Sequence, residues 1–235
     1  MVSFPKTGRT WLMYMINQIK EQGNHRLKKE KYFIFNEHDN SEIIIENGIR
    51  NNPLDVFRFT CRLRYKRGKV IFLVRDPRDV VVSHFHQVTK RAQNPFVFNS
   101  ISDFVQDEIL GFKRIIHYYN LWYNNKNIPK DFLLIKYEDL LENGMEALNK
   151  INDYLDLNIP IQLVEKIYTN SSADKMRNKE LLNQLEGFKN FGKDRNQLKV
   201  RNAKIGGYKK ELSVEDINYC NQELKNLNSY FNYKV

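Results

Sequence analysis

A chain of 235 residues with 41% hydrophobic and 13% aromatic content is long enough to bury a core and too apolar to stay disordered. No apolar run approaches the length of a membrane-spanning helix, and Lys6 and Arg9 interrupt the start before a signal-peptide core could form. Lysine and arginine exceed the acids by 38 − 28 = +10, which favours an anionic partner, while Cys61 and Cys220 stand far apart without metal-ligand spacing, as reduced cytosolic thiols do.

Residues 1–4 read as the end of a strand. They run into Pro5-Lys6-Thr7-Gly8-Arg9-Thr10 and then a helix over residues 10–22, where Trp11, Tyr14, Met15 and Ile19 recur at helical spacing. A glycine-containing turn into a helix N-terminus aims backbone N–H groups at one point, and the helix dipole adds to their pull on an anion. Lys6 brings a positive charge, Thr7 and Thr10 bring hydroxyls, and Trp11 brings a flat face. The G-x-x-x-x-G-K-S/T pattern of the P-loop is absent. Taken alone, the stretch is equally an ordinary capped helix with Trp11 in the core.

YFIFN (32–36) reads as a short buried strand followed by His38, and KVIFLV (69–74) as another. The second ends in Arg75-Asp76-Pro77-Arg78-Asp79. Asp76 suits a helix N-cap and Pro77 its first turn, so a helix follows to Lys90. Capping does not explain why an arginine ends an apolar strand. Arg75 can clamp a phosphate bidentately, and Ser83, one turn and more into the helix, can offer its hydroxyl to the same anion. Arg78 and Asp79 suit local ion pairs.

Residues 102–124 read as helical with a break at Gly111. DFLLIKY (131–137) reads as a strand, and residues 138–155, 161–168 and 213–227 as further helices. Strands alternating with helices predict a single α/β domain over residues 1–235: a P-loop-like three-layer fold with a central parallel sheet flanked by helices. In such folds ligands sit beyond the carboxyl ends of the strands, which makes the strand-to-helix junctions the places to look.

PKTGRTWL resembles the 5′-phosphosulfate loop of the sulfotransferases, usually PKSGTTWL or close to it. VIFLVRDPRDVVVSHF is similar to that family's 3′-phosphate segment, in the right order and spacing. LLIKYEDLLEN (133–143) resembles its strand ending in Tyr-Glu-Asp, and KVRNAKIGGYKKELS (199–213) a variant of its R-K-G-x-x-G-D-W loop. The resemblance implies transfer of a sulfuryl group from 3′-phosphoadenosine 5′-phosphosulfate (PAPS) to a hydroxyl or amine of a small-molecule acceptor. It implies that residues Lys6, Thr7, Gly8, Arg9 and Thr10 wrap the phosphosulfate, with Lys6 also catalytic at the breaking bond. Trp11 and Tyr137 then lie near the adenine, Arg75 and Ser83 hold the 3′-phosphate, and Arg201, Asn202 and Ala203 cover it. Ser171 and Ser172 match the positions before the Phe of the family's Thr-Ser-Phe-x-x-Met stretch, with Met176 as its Met. No metal is required if Lys6 and backbone donors neutralise the leaving phosphate.

The proton of the acceptor needs a base, and His38 follows the YFIFN strand where family members often place one. His84 and His86 are its rivals; His25 and His117 read as structural. The chain departs from the family pattern at Arg9, where Thr is usual, at Asn202 and Ala203 in place of Lys and Gly, at Ala173 in place of Phe, and at Gly207 and Tyr208 in place of Asp and Trp. KKELSVEDIN (209–218) only partly matches the family's dimer segment, which predicts a monomer or weak dimer. The expected setting is cytoplasmic, with neither a membrane nor a nucleic acid as partner. The alternatives weighed against this reading are a P-loop-type nucleotide or small-molecule kinase and a basic nucleic-acid-binding module.

Overall fold

The computed structural model describes residues 1–22, 65–90, 95–182, 184 and 204–235. Among the described residues the sheet comprises β1 (Val2–Ser3), β2 (Lys69–Val74) and β3 (Asp131–Lys136), hydrogen-bonded in that order and parallel, with Val2 opposite Phe72 and Leu73 opposite Ile135. The fragment at residues 1–4 thus carries the strand end it reads as, at Val2–Ser3. The expected YFIFN strand lies outside the described residues.

The period-two pattern of β2 explains why helices cover both faces. Val70, Phe72 and Val74 point into one core and Ile71 and Leu73 into the other. On the first face pack α2 (Pro77–Lys90), α3 (Ile101–Gln106), α4 (Phe112–Asn124) and α9 (Val214–Leu224), around Phe4, Val81, Tyr119 and Trp122. Phe72 stacks on Trp122 with ring centroids 5.4 Å apart. On the second face pack α1 (Arg9–Gln22), α5 (Tyr137–Glu142), α6 (Gly144–Tyr154) and α7 (Ile161–Asn170), through Leu12, Met15, Ile19, Leu148, Ile151 and Val164. This is the three-layer α/β arrangement that the sequence predicts.

The break expected at Gly111 forms: the helical stretch over 102–124 is interrupted from Asp107 to Gly111, where a Cβ on Gly111 would lie 2.4 Å from the Asp107 carbonyl oxygen, so only glycine allows the chain to fold back there. One helical expectation changes. The helix expected over 138–155 is two helices, broken at Asn143. The Tyr168 hydroxyl donates to the carbonyls of Leu140 and Leu141 at 3.0 and 3.2 Å, the groups that a continuous helix would pair with Gly144 and Met145. Its ring fills the space where a Gly144 side chain would stand, 2.0 Å from an ideal Cβ. A further helix, α8 (Ala173–Leu181), has no counterpart in the sequence reading; it buries only Met176 and Glu180, too little for an apolar period to show.

Candidate active site

Three junctions at the carboxyl ends of β1, β2 and β3 supply the site. At the first, Lys6 and Gly8 take left-handed backbone conformations, φ 72° and 96°. The Thr7 hydroxyl, fully buried, donates to the Phe4 carbonyl at 3.0 Å and closes the turn, so Thr7 faces the site with its backbone. The first bonds of α1 run from Trp11 and Leu12 N–H to the Gly8 carbonyl. The N–H groups of Arg9 and Thr10 therefore lie ahead of any intrahelical acceptor, at the positive end of the helix. Half-buried Lys6 reaches α2, where its Nζ lies 3.4 Å from Gln87 Oε1.

At the second junction the caps form as expected. Asp76 accepts the Arg78 N–H at 2.9 Å, with Pro77 in the first turn. Arg78 closes a buried two-point pair with Asp76, its Nε and Nη2 donating at 3.0 and 2.8 Å, and also donates to Asn221. The local ion pairs expected of Arg78 and Asp79 form, with Asp76 and Arg75 as their partners, and the Arg78 pair is buried. Asp79 does not join it. Its carboxylate accepts the N–H groups of Gly206 and Tyr208 at 2.9 and 3.0 Å and lies 3.6 Å from Arg75. Arg75 is held from every side. The Tyr119 hydroxyl accepts its N–H at 3.0 Å and donates to its carbonyl at 2.8 Å, and Arg75 Nη2 donates to the Lys204 carbonyl at 3.1 Å. Its Nε is buried with no partner among the described residues.

The third junction ties the other two together. The Tyr137 ring packs against Gly8, where a Cβ would come within 2.4 Å of it, and the Arg75 guanidinium lies 4.5 Å above the same ring. Burial pushes the Tyr137 hydroxyl above its usual range, so it stays neutral beneath that cation. Trp11 stands edge-on to Tyr137 at 5.9 Å, and its Nε1 donates to the Ser171 carbonyl at 2.5 Å. Gly8, Trp11, Arg75, Tyr137 and Ser171 are thus joined through contacts, with Lys6 two residues before Gly8 and reaching Gln87. Ser171 takes part through its carbonyl, because its buried hydroxyl donates to Ile167. Ser83 is half-buried on α2, one turn from Asp79 and one turn from Gln87, on the helix face that links Arg75 to Lys6. His38, Arg201, Asn202 and Ala203 lie outside the described residues.

The rival histidines have other occupations. His84 is buried edge-on between Phe4 and Phe104, at 5.3 and 5.6 Å, and burial pushes its pKa down to about 4, so it is neutral in the core. His86 pairs through Nε2 with Glu211 at 2.5 Å. Asp79, Gln87 and Tyr119 are the participants that sequence reading missed. The first two were legible as the i−4 and i+4 neighbours of Ser83; Tyr119 carried no local signal. Among the described residues no group of His, Cys, Asp and Glu could hold a metal ion, and no helix is long and apolar enough to cross a membrane.

Parallel strands bring a glycine turn at a helix N-terminus and the Arg75 guanidinium to one aromatic ring, an arrangement that suits an anion at the carboxyl ends of the sheet. The family described as the sulfotransferase domain matches residues 1–227, and the chain belongs to it. It is therefore an enzyme of sulfuryl transfer. Among its relatives, amine sulfotransferase of Oryctolagus cuniculus is 25% identical, with the match covering 91% of this chain and 75% of the relative. Sulfotransferase 1E1 of Rattus norvegicus is 27% identical, over 77% of this chain and 66% of the relative. The fold is that of mouse sulfotransferase SULT7A1 complexed with PAP (TM-score 0.62, 19% identity, 96% of this chain and 81% of that one). It is also that of retinol dehydratase in complex with androsterone and inactive cofactor PAP (TM-score 0.61, 17% identity, 95% and 78%).

Proposed function

We propose that the protein transfers a sulfuryl group from PAPS to a hydroxyl or amine of a small-molecule acceptor, with the donor held across the β1 and β2 junctions. The observation that carries this reading is Tyr137, whose one ring touches Gly8 of the first junction and lies under Arg75 of the second. A nucleoside that carries anionic groups on both its 3′ and 5′ oxygens matches two anion junctions beside one ring. The buried Nε of Arg75, without a partner among the described residues, is a donor that a phosphate oxygen can satisfy.

In the transfer, the acceptor oxygen or nitrogen forms a bond to sulfur while the bond from sulfur to the 5′-phosphate oxygen breaks. The electron pair of the broken bond stays on the phosphate, and the acceptor's proton passes to a base. Lys6 and the N–H groups of Arg9 and Thr10 oppose the charge that grows on that phosphate oxygen. Donors already aimed at a developing charge need no rearrangement as the reaction proceeds, and this is the larger part of what such a loop contributes. Arg75 and Ser83 take the 3′-phosphate, Trp11 and Tyr137 the adenine, and His38 the proton. The expected setting is the cytoplasm, as a monomer or weak dimer without a nucleic-acid partner.

Ligand linkage tests the donor assignment. Adenosine 3′,5′-bisphosphate should raise the melting temperature and ATP with Mg²⁺ should not. A shift produced only by ATP with Mg²⁺ would favour kinase chemistry and overturn the reading. His38→Ala should slow transfer from labelled PAPS while leaving bisphosphate affinity nearly intact; collapse of that affinity would assign His38 to binding.

A further inference from the structure

Asp79 has a task that no motif records. Its side chain is 2% exposed, yet it is a carboxylate next to the cation that faces the ligand. Charge alone argues against such a neighbour, because a buried negative group beside an anion site repels the anion. Its contribution is therefore geometric. One oxygen takes the Gly206 N–H and the other the Tyr208 N–H, while the Arg75 guanidinium lies 3.6 Å away. Gly206 sits at φ 71°, in the left-handed region, so the turn that presents both N–H groups to one carboxylate needs its glycine. Two positions earlier the Lys204 carbonyl takes Arg75 Nη2. Asp79 and the turn of residues 204–208 thus form a collar that fixes the plane of the guanidinium and leaves Nε unpartnered.

We infer that Asp79 is a positioning residue that gives the site its preference for a nucleoside bisphosphate over a nucleoside 5′-monophosphate, by orienting Arg75 and tying the Gly206–Tyr208 turn to it. This rests on the reading of Arg75 as a phosphate ligand. A guanidinium recognises phosphate through two N–H groups in a fixed plane, so its orientation decides whether the second phosphate is read at all. Asn at this position keeps the shape but turns an amide N–H₂ toward one of the backbone N–H groups, which breaks the collar on that side.

The test is the ratio of affinities, by calorimetry, for adenosine 3′,5′-bisphosphate and adenosine 5′-monophosphate. In the wild-type protein the bisphosphate should bind more tightly. In Asp79→Asn that ratio should fall roughly tenfold or more, mostly through the bisphosphate. A merely structural role would weaken both ligands alike and leave the ratio unchanged, which would overturn the inference. If Asp79→Asn does not fold by circular dichroism, Asp79→Glu is measured instead. It keeps the charge and both acceptors but moves them by one methylene, and the same fall in the ratio is expected. A wild-type protein without any preference would overturn the proposed site, and this inference with it; a preference that survives in the variant overturns the inference alone.

Discussion

At the end of β1 the chain turns through conformations that residues with side chains rarely adopt, Lys6 at φ 72° and Gly8 at φ 96°, and it offers mainly backbone N–H groups. At the end of β2 it enters α2 through a proline first turn and an aspartate cap, and what it offers are side chains, each pinned by several partners. Both junctions follow strands in neighbouring, parallel register, and both face the same tyrosine. The difference matches their proposed tasks. A group whose charge changes during reaction is best met by short backbone donors and one long cation. A phosphate that only has to be recognised is best met by a guanidinium that cannot swing.

That contrast makes Lys6→Ala the most damaging change. Turnover should fall by roughly 10²–10³, the usual cost of removing one aimed donor, while donor affinity falls far less. A variant with undiminished turnover would reduce the first junction to a capped helix and erase the contrast.

The next effect lies in the seam between the junctions, at His84 on α2 against Phe4. Its folded pKa of about 4 lies below the ordinary value of 6.5. Below pH 6.5 the unfolded chain takes up a proton that the folded protein refuses. Stability should therefore fall as pH drops from 6.5 to 4, by on the order of 3 kcal/mol, and level off below. Urea denaturation across that range should show the slope, and His84→Phe should flatten it.

Gly8→Ala comes third. It puts a Cβ 2.4 Å from the Tyr137 ring at a φ of 96°, and should lower stability by about 2 kcal/mol, measured as a lower melting temperature. A stable, active Gly8→Ala protein would mean that the first junction is not built on backbone geometry.

Much of this site was legible in the chain because it is local. The proline at the start of α2, the Asp76 cap, the arginine that ends an apolar strand and the glycine before α1 are all chemistry within a few residues. The break at Gly111 is of the same kind. What failed was long-range. The split at Asn143 depends on a hydroxyl from Tyr168, and Asp79, besides its local pair with Arg75, takes two N–H groups from the turn at Gly206. No spacing rule sees a group 127 residues away.

The sequence by itself determined the three strands seen among the described residues, the helices that follow them and the sulfotransferase motifs, since strand period, capping and turn chemistry act over one or two turns of chain. Tertiary structure alone decided that Tyr137 serves both anion junctions, that Thr7 and Ser171 spend their hydroxyls on carbonyls, and that Arg75 is oriented by a carboxylate and a distant turn. The physical reason is common to all three. A buried polar group must find a partner, and which partner it finds is set by what packing brings within hydrogen-bond distance.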